Sequence, residues 1–275
     1  MRQDTTTTPA RAPGRLDRAL RFLDHPHPHP QFAVRRSGLP AWLWVGLPLG
    51  FFLGALAIRM VSPEAFVWYV NDERGFGENL TAVLFVLTAV AAAYVALSDG
   101  VRQVGWLRLC FWLLAALAVV VAGEEWSWGQ HFFLWDTPEW MAAVNKQQET
   151  NLHNMAERAL DQKPRAIAAA VILIGGCLLP LARARGYLGW MERGRVLAWL
   201  TPEVTLAPAA ALVFAPRIFD RLQVWTGTAL PPPFDISTRH HQEVQETMIA
   251  IAVFLYVLAL AMRVRQYRRS GSGGA

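Results

Sequence analysis

Apolar residues along this chain fall into long blocks rather than into the period of an amphipathic helix or a half-buried strand. Six blocks approach the length of a membrane crossing, at about 40–60, 79–98, 104–122, 165–183, 204–219 and 244–262. A hydrocarbon core of about 30 Å needs roughly 20 such residues in a helix. The pattern therefore predicts an all-α polytopic membrane bundle of about six helices. The fifth block is the weakest, because Pro208 and Pro216 interrupt it and Arg217, Asp220 and Arg221 follow at once. It is expected to be short, kinked or sheltered by its neighbours.

The polar segments set the domain boundaries. Residues 1–37 read as a tail: a Thr/Pro/Ala-rich start that is expected to be disordered, then "GRLDRALRFLDH". In that segment Leu16, Leu20 and Leu23 share a helical face flanked by Arg15, Arg18 and Arg21, as in a helix lying on a membrane surface. In "HPHPHP", His25 to Pro30, proline keeps the imidazoles extended, so the segment reads as a stiff linker rather than a metal site. Residues 38–265 form the six-helix domain, with loops at 61–78, 123–164 and 220–243, and 266–275 read as a flexible basic tail. Ala55-Leu56-Ala57 resembles a signal-peptidase site, but the apolar run continues to Met60, so the first span is expected to stay attached.

Charge gives the bundle a direction. Arginines cluster in the N-terminal tail, at Arg102 and Arg108, at Arg183, Arg185, Arg193 and Arg195, and from Arg263 to Arg269, whereas most acids lie in the three intervening loops. Basic residues near span ends stay inside. Both termini are thus expected in the cytoplasm, the loops outside, and the chain in the cytoplasmic (inner) membrane. The net charge of +5 is spread between spans and forms no basic-aromatic surface, which excludes a nucleic-acid partner. Cys110 and Cys177 sit inside apolar blocks, so no disulfide framework is expected.

Candidate chemistry concentrates in the acidic loops. "EEWSWGQH" places Glu124 and Glu125 at the outward, C-terminal end of the third span, where the helix dipole and their mutual repulsion oppose charge. A positive partner is required: Lys146, Arg158, Arg217, Arg221, Arg239 or a metal ion. Downstream, Asp136 or Thr137 before Pro138 and Glu139 signals a helix start. If "QQETNLHN" is helical, Glu149 and His153 stand one above the other, Glu157 extends the face, and the pair can share a divalent ion. "RHHQEVQET" offers His240, His241, Glu243 and Glu246 at helical spacing before the sixth span. The candidate metal ligands are Glu149, His153, His240, His241, Glu243 and Glu246, for zinc, manganese or iron, with Glu124 and Glu125 as catalytic acids or bases. Simpler readings stand beside these. Glu243, Glu246 and Glu78 also suit helix N-termini, Glu149 and His153 a solvated face, and Trp126, Trp128, Trp135 and Trp140 the interfacial depth where tryptophan anchors membrane proteins.

"GEEWSWGQ" followed by "QQETNLHN" resembles a family of polytopic bacterial membrane proteins with no established activity, over roughly residues 70–160. The layout is distantly similar to the transmembrane alkaline-ceramidase group, which would imply a zinc ion among helices, although the paired-histidine motif of a late helix is missing. Three functions follow as expectations: a metal-dependent hydrolase acting on a membrane lipid or lipid-linked substrate, a transporter or ion pathway, and a non-catalytic subunit partnered with other membrane proteins.

Overall fold

The computed structural model describes residues 29–70, 75–145, 148–152, 155, 163–188, 196–235 and 240–272. Among them there is no strand, and six helices are long and apolar enough to cross a membrane: Trp42–Val61, Phe76–Ala96, Gly105–Glu125, Lys163–Ala184, Val196–Thr226 and His241–Ser270. The expected all-α bundle is what forms. The surface-lying helix expected in the tail, with His25 and His27, falls outside the described residues.

Prolines shape three spans. A π-helical turn, Trp42–Gly46, precedes Pro48, and a second, Leu173–Leu178, precedes Pro180. A proline ring clashes with the carbonyl four residues back, and widening the helix there relieves it. The fifth span is broken at Pro208 and Pro216, as predicted, and also at Pro202, into Val196–Leu200, a 3-10 turn Val204–Leu206, Ala207–Leu212 and Ala215–Thr226, and it is longer than the sequence suggests. The sixth helix runs to Ser272, through the residues expected to begin a flexible tail at 266.

The sixth span is the most enclosed and the fourth the least. One face of the sixth contributes Met248, Ile251 and Leu255 to a core with Phe51, Phe52 and Phe66, and further along it Leu260 and Val264 join Phe32, Leu107 and Trp199. Outward faces stay apolar and bare, as at Leu109, Leu113 and Leu117 on the third span and Ile167, Val171 and Ile174 on the fourth. Such stripes suit hydrocarbon, where every backbone polar group is already satisfied inside its helix.

The chain alternates direction, so the bundle has two polar ends. At the basic end, Gln31 is fully buried, donating to Ser98 Oγ (2.9 Å) and accepting from Gly100 N (3.0 Å). His29, the last histidine of the proline linker, accepts from Gln31 N and caps the turn Pro30–Ala33. Arg263 is also buried there: it donates to the carbonyls of Trp199 and Thr201 and lies 3.4 Å from Glu203, which in turn accepts from Ser37 N. The opposite, acidic end is tied by Arg59 to Asp235 and by Arg165 to Glu246.

Candidate functional site

After Glu125 the third span ends and the chain turns sharply. Ser127, Trp128 and Gly129 take φ of 43°, 56° and 96° in succession. Glycine tolerates this; a serine and a tryptophan there cost about 1–3 kcal/mol each, and such strain persists only where the surroundings enforce it. The enforcing contacts come from the two motifs of the sequence, which interlock. Glu124 accepts from Trp128 Nε1 (2.7 Å) and from Leu152 N (2.6 Å). Gln130 accepts from Thr150 N (2.6 Å) and donates to Thr137 Oγ1 (2.8 Å), which donates to Gln148 O (2.6 Å). Trp128 lies over Gly123, where a Cβ would meet ring carbons at 2.9 Å. Trp126 reaches Asn79 on the second span (3.2 Å).

Glu149 is the centre of this loop. It is buried, and its Oε2 accepts from Ser127 Oγ (2.8 Å) and Asn151 Nδ2 (2.6 Å). Asn145 orients Asn151 by donating to its Oδ1 (2.9 Å) and accepts from Glu149 N (3.3 Å). Oε1 has no aligned hydrogen bond, although His131 Nε2 approaches it to 3.0 Å. The contact is an imidazole–carboxylate pair whose proton direction is poor, a geometry that catalytic pairs often show before substrate is bound. His131 keeps 14% of its side chain exposed, and Phe132, Phe133 and Leu134 beside it are strongly exposed. Ser127 bonds to Glu149 and not to the imidazole, so a nucleophilic serine triad, in which histidine is the central member, does not describe this site.

Glu125, one residue from Glu124, belongs to a second group. Glu243 of the sixth span feels the charges of Glu246, Glu78 of the second span and Glu125, with Arg165 of the fourth as the opposing cation. Arg165 is not among the cations the sequence offers for this end; Lys146, Arg158 and Arg239 lie outside the described residues.

Among the described residues the predicted metal set does not assemble. Glu149 lies in an irregular segment, after Gln148 at φ 57°, rather than on a helix that would stack it with His153. Its carboxylate is taken by Ser127, Asn151 and His131, Glu243 and Glu246 sit in the separate carboxylate group, and His241 lies 3.8 Å from Asp220. No three His, Cys, Asp or Glu side chains of the described residues gather to hold an ion. His153, Glu157 and the side chain of His240 are outside those residues. The helix predicted after Asp136 and Thr137 forms as Glu139–Ala142, but Thr137 bridges the loop instead of capping it. Ser127, Asn145 and Asn151 carry no signal at helical spacing; Ser127 and Asn151 fall inside the two motifs, and Asn145 lies two residues before the second. No family model, curated protein or solved structure matches this chain.

Proposed function

We propose that the chain sits in the cytoplasmic membrane with its basic end inward, and that the acidic end is an acid–base site acting hydrolytically on a lipid or lipid-linked substrate at the outer surface. The observation that carries this is the His131–Glu149 pair, held under a strained, fully cross-braced turn and bordered by the exposed Phe132, Phe133 and Leu134. With Glu149 Oε1 3.0 Å from Nε2, the carboxylate favours a proton on that nitrogen of His131 once the pair aligns around substrate, leaving Nδ1 as the basic nitrogen. That nitrogen takes a proton from water as the water oxygen bonds to an acyl or phosphoryl centre, then returns it to the oxygen of the leaving group. Glu124 positions the loop rather than entering the reaction, since both its oxygens accept hydrogen bonds within it. The exposed apolar lip would seat the headgroup at bilayer depth.

The test is lipid turnover by the full chain in vesicles of phosphatidylethanolamine, phosphatidylglycerol and cardiolipin, followed by mass spectrometry. The wild type should consume one class, and His131→Gln should slow this by about 10²-fold or more. Intact lipids with the wild type, or equal turnover by His131→Gln, would end this reading. A second reading, an ion pathway, rests on the half-buried Glu243 at the start of the sixth span, on which the charges of Glu246, Glu78 and Glu125 act together, opposed by Arg165. Ionisable groups at such depth mark pathways in many membrane proteins. It predicts proton or sodium flux into vesicles that is abolished by Glu243→Gln.

A further inference from the structure

A cavity of about 400 Å³ lies between the fourth, fifth and sixth spans, with Leu114 of the third on one side. It extends from Gly175, midway along the fourth span, to Thr201 and Pro202 near the start of the fifth, on the basic side of the bundle. Its volume falls within the range of small-ligand sites, roughly 300–1,000 Å³. Thr201 and Tyr256 are the hydroxyl-bearing residues of the wall, and both donate to backbone, to Leu197 O and Leu200 O at 2.8 Å each. The space is therefore apolar, and such cavities hold hydrocarbon better than water.

The two glycines of the second π-helical turn have different roles. A Cβ at Gly176 would lie 2.9 Å from the Cβ of Ala210, so this glycine lets the fourth and fifth spans touch. A Cβ at Gly175 would meet no atom within 4 Å, so this one leaves the wall bare. The fourth span is the least enclosed of the six, which opens the cavity's flank to the bilayer. One turn beyond Leu179 of the wall, Arg183 donates to Ala198 O (2.9 Å), and Arg185 is exposed next to it. We propose that this cavity binds one acyl chain of an anionic phospholipid, with its phosphate at Arg183 and Arg185. Basic positions between membrane helices on this side suit anionic headgroups. The site is at the opposite end from His131 and does not depend on the reading given for that end.

The experiment uses the full chain in nanodiscs with two photoreactive lipids, phosphatidylglycerol and phosphatidylcholine, each carrying the same diazirine acyl chain. Phosphatidylglycerol should label peptides around Gly175 and Ala210 about 30-fold more than phosphatidylcholine, given roughly 1 kcal/mol for each of the two arginines near the phosphate. Gly175→Leu should remove that labelling and Gly175→Ala reduce it. Gly50→Leu, which also adds a side chain into open space but outside the cavity, should leave it unchanged. Arg183→Gln with Arg185→Gln should abolish the headgroup preference. Absence of label at these peptides, label insensitive to both Gly175 variants, or equal labelling by the two lipids, as from an annular or neutral chain, would each overturn the assignment.

Discussion

Replacing Glu149 by glutamine should leave the loop folded while reversing the proton on His131. The carboxamide oxygen of the new side chain would stay at the Oε2 position, because two donors point there, Ser127 Oγ and Asn151 Nδ2. The amide nitrogen then occupies the Oε1 position, 3.0 Å from His131 Nε2, and two donors cannot face each other. His131 must accept at Nε2 and carry its proton on Nδ1, which removes the basic nitrogen assigned to the reaction. Hydrogen bonds to a charged group contribute about 1.5–3 kcal/mol and neutral ones about 0.5–1.5, so two such bonds weaken by about 2 kcal/mol in total. Glu149→Ala loses both bonds and leaves buried donors unmet, about 4 kcal/mol. Hydrogen exchange of peptides covering 126–135 and 148–152 reads this as local opening, accelerated about 30-fold in Glu149→Gln and about 10³-fold in Glu149→Ala. Nitrogen chemical shifts of His131 read the tautomer. Exchange within threefold of wild type in both variants, or an unchanged tautomer in Glu149→Gln, would refute the role given to Glu149.

Other perturbations test the frame around the site. Gly123→Ala should push Trp128 off the third span and break its bond to Glu124, shifting tryptophan fluorescence and loosening the loop by about 1 kcal/mol. Arg263→Met should lower the melting temperature in detergent by depriving Glu203 and the Trp199 and Thr201 carbonyls of their donor, about 3 kcal/mol, and Arg263→Lys should not restore it. Arg165→Gln and Glu246→Gln should each destabilise, with the double variant better than their sum by about 1–2 kcal/mol in a thermal-melt cycle.

The spans were legible because hydrocarbon imposes one length and one composition on every crossing, and each apolar block became a helix. Two of the breaks in the fifth followed from Pro208 and Pro216, whereas the one at Pro202 lay before the block as read. What the blocks could not disclose is which charges turn inward. Arg263 belongs by position to the arginines that orient the chain, yet it is 1% exposed and ties the fifth span to the sixth. Helical spacing also failed in the long loop. Glu149 and His153 suggest a shared face only if their segment is helical, and the left-handed Gln148 breaks that premise one residue earlier. His131, four residues after Ser127, acquires its partner from eighteen residues downstream, a pairing that no periodicity encodes.

The adjacent acids at the end of the third span show how this loop is obliged to return. A helix C-terminus repels anions, and successive residues on a helix diverge by about 100°, so Glu124 and Glu125 turn toward different neighbours. Glu125 acts on Glu243 of the sixth span, with Glu78 and Glu246. Glu124 points into the loop, where an indole N–H and the Leu152 amide donate to its two oxygens. Those donors reach it only if the chain turns back immediately, through the strained Ser127–Gly129, and then brings residues 148–152 across the helix end. That crossing is the same one that sets Glu149 against His131. Glu124→Ala should therefore separate Glu149 from His131 without touching either, and the two residues should respond together in exchange experiments; an intact pair in Glu124→Ala would show that the return of the loop is held by other contacts.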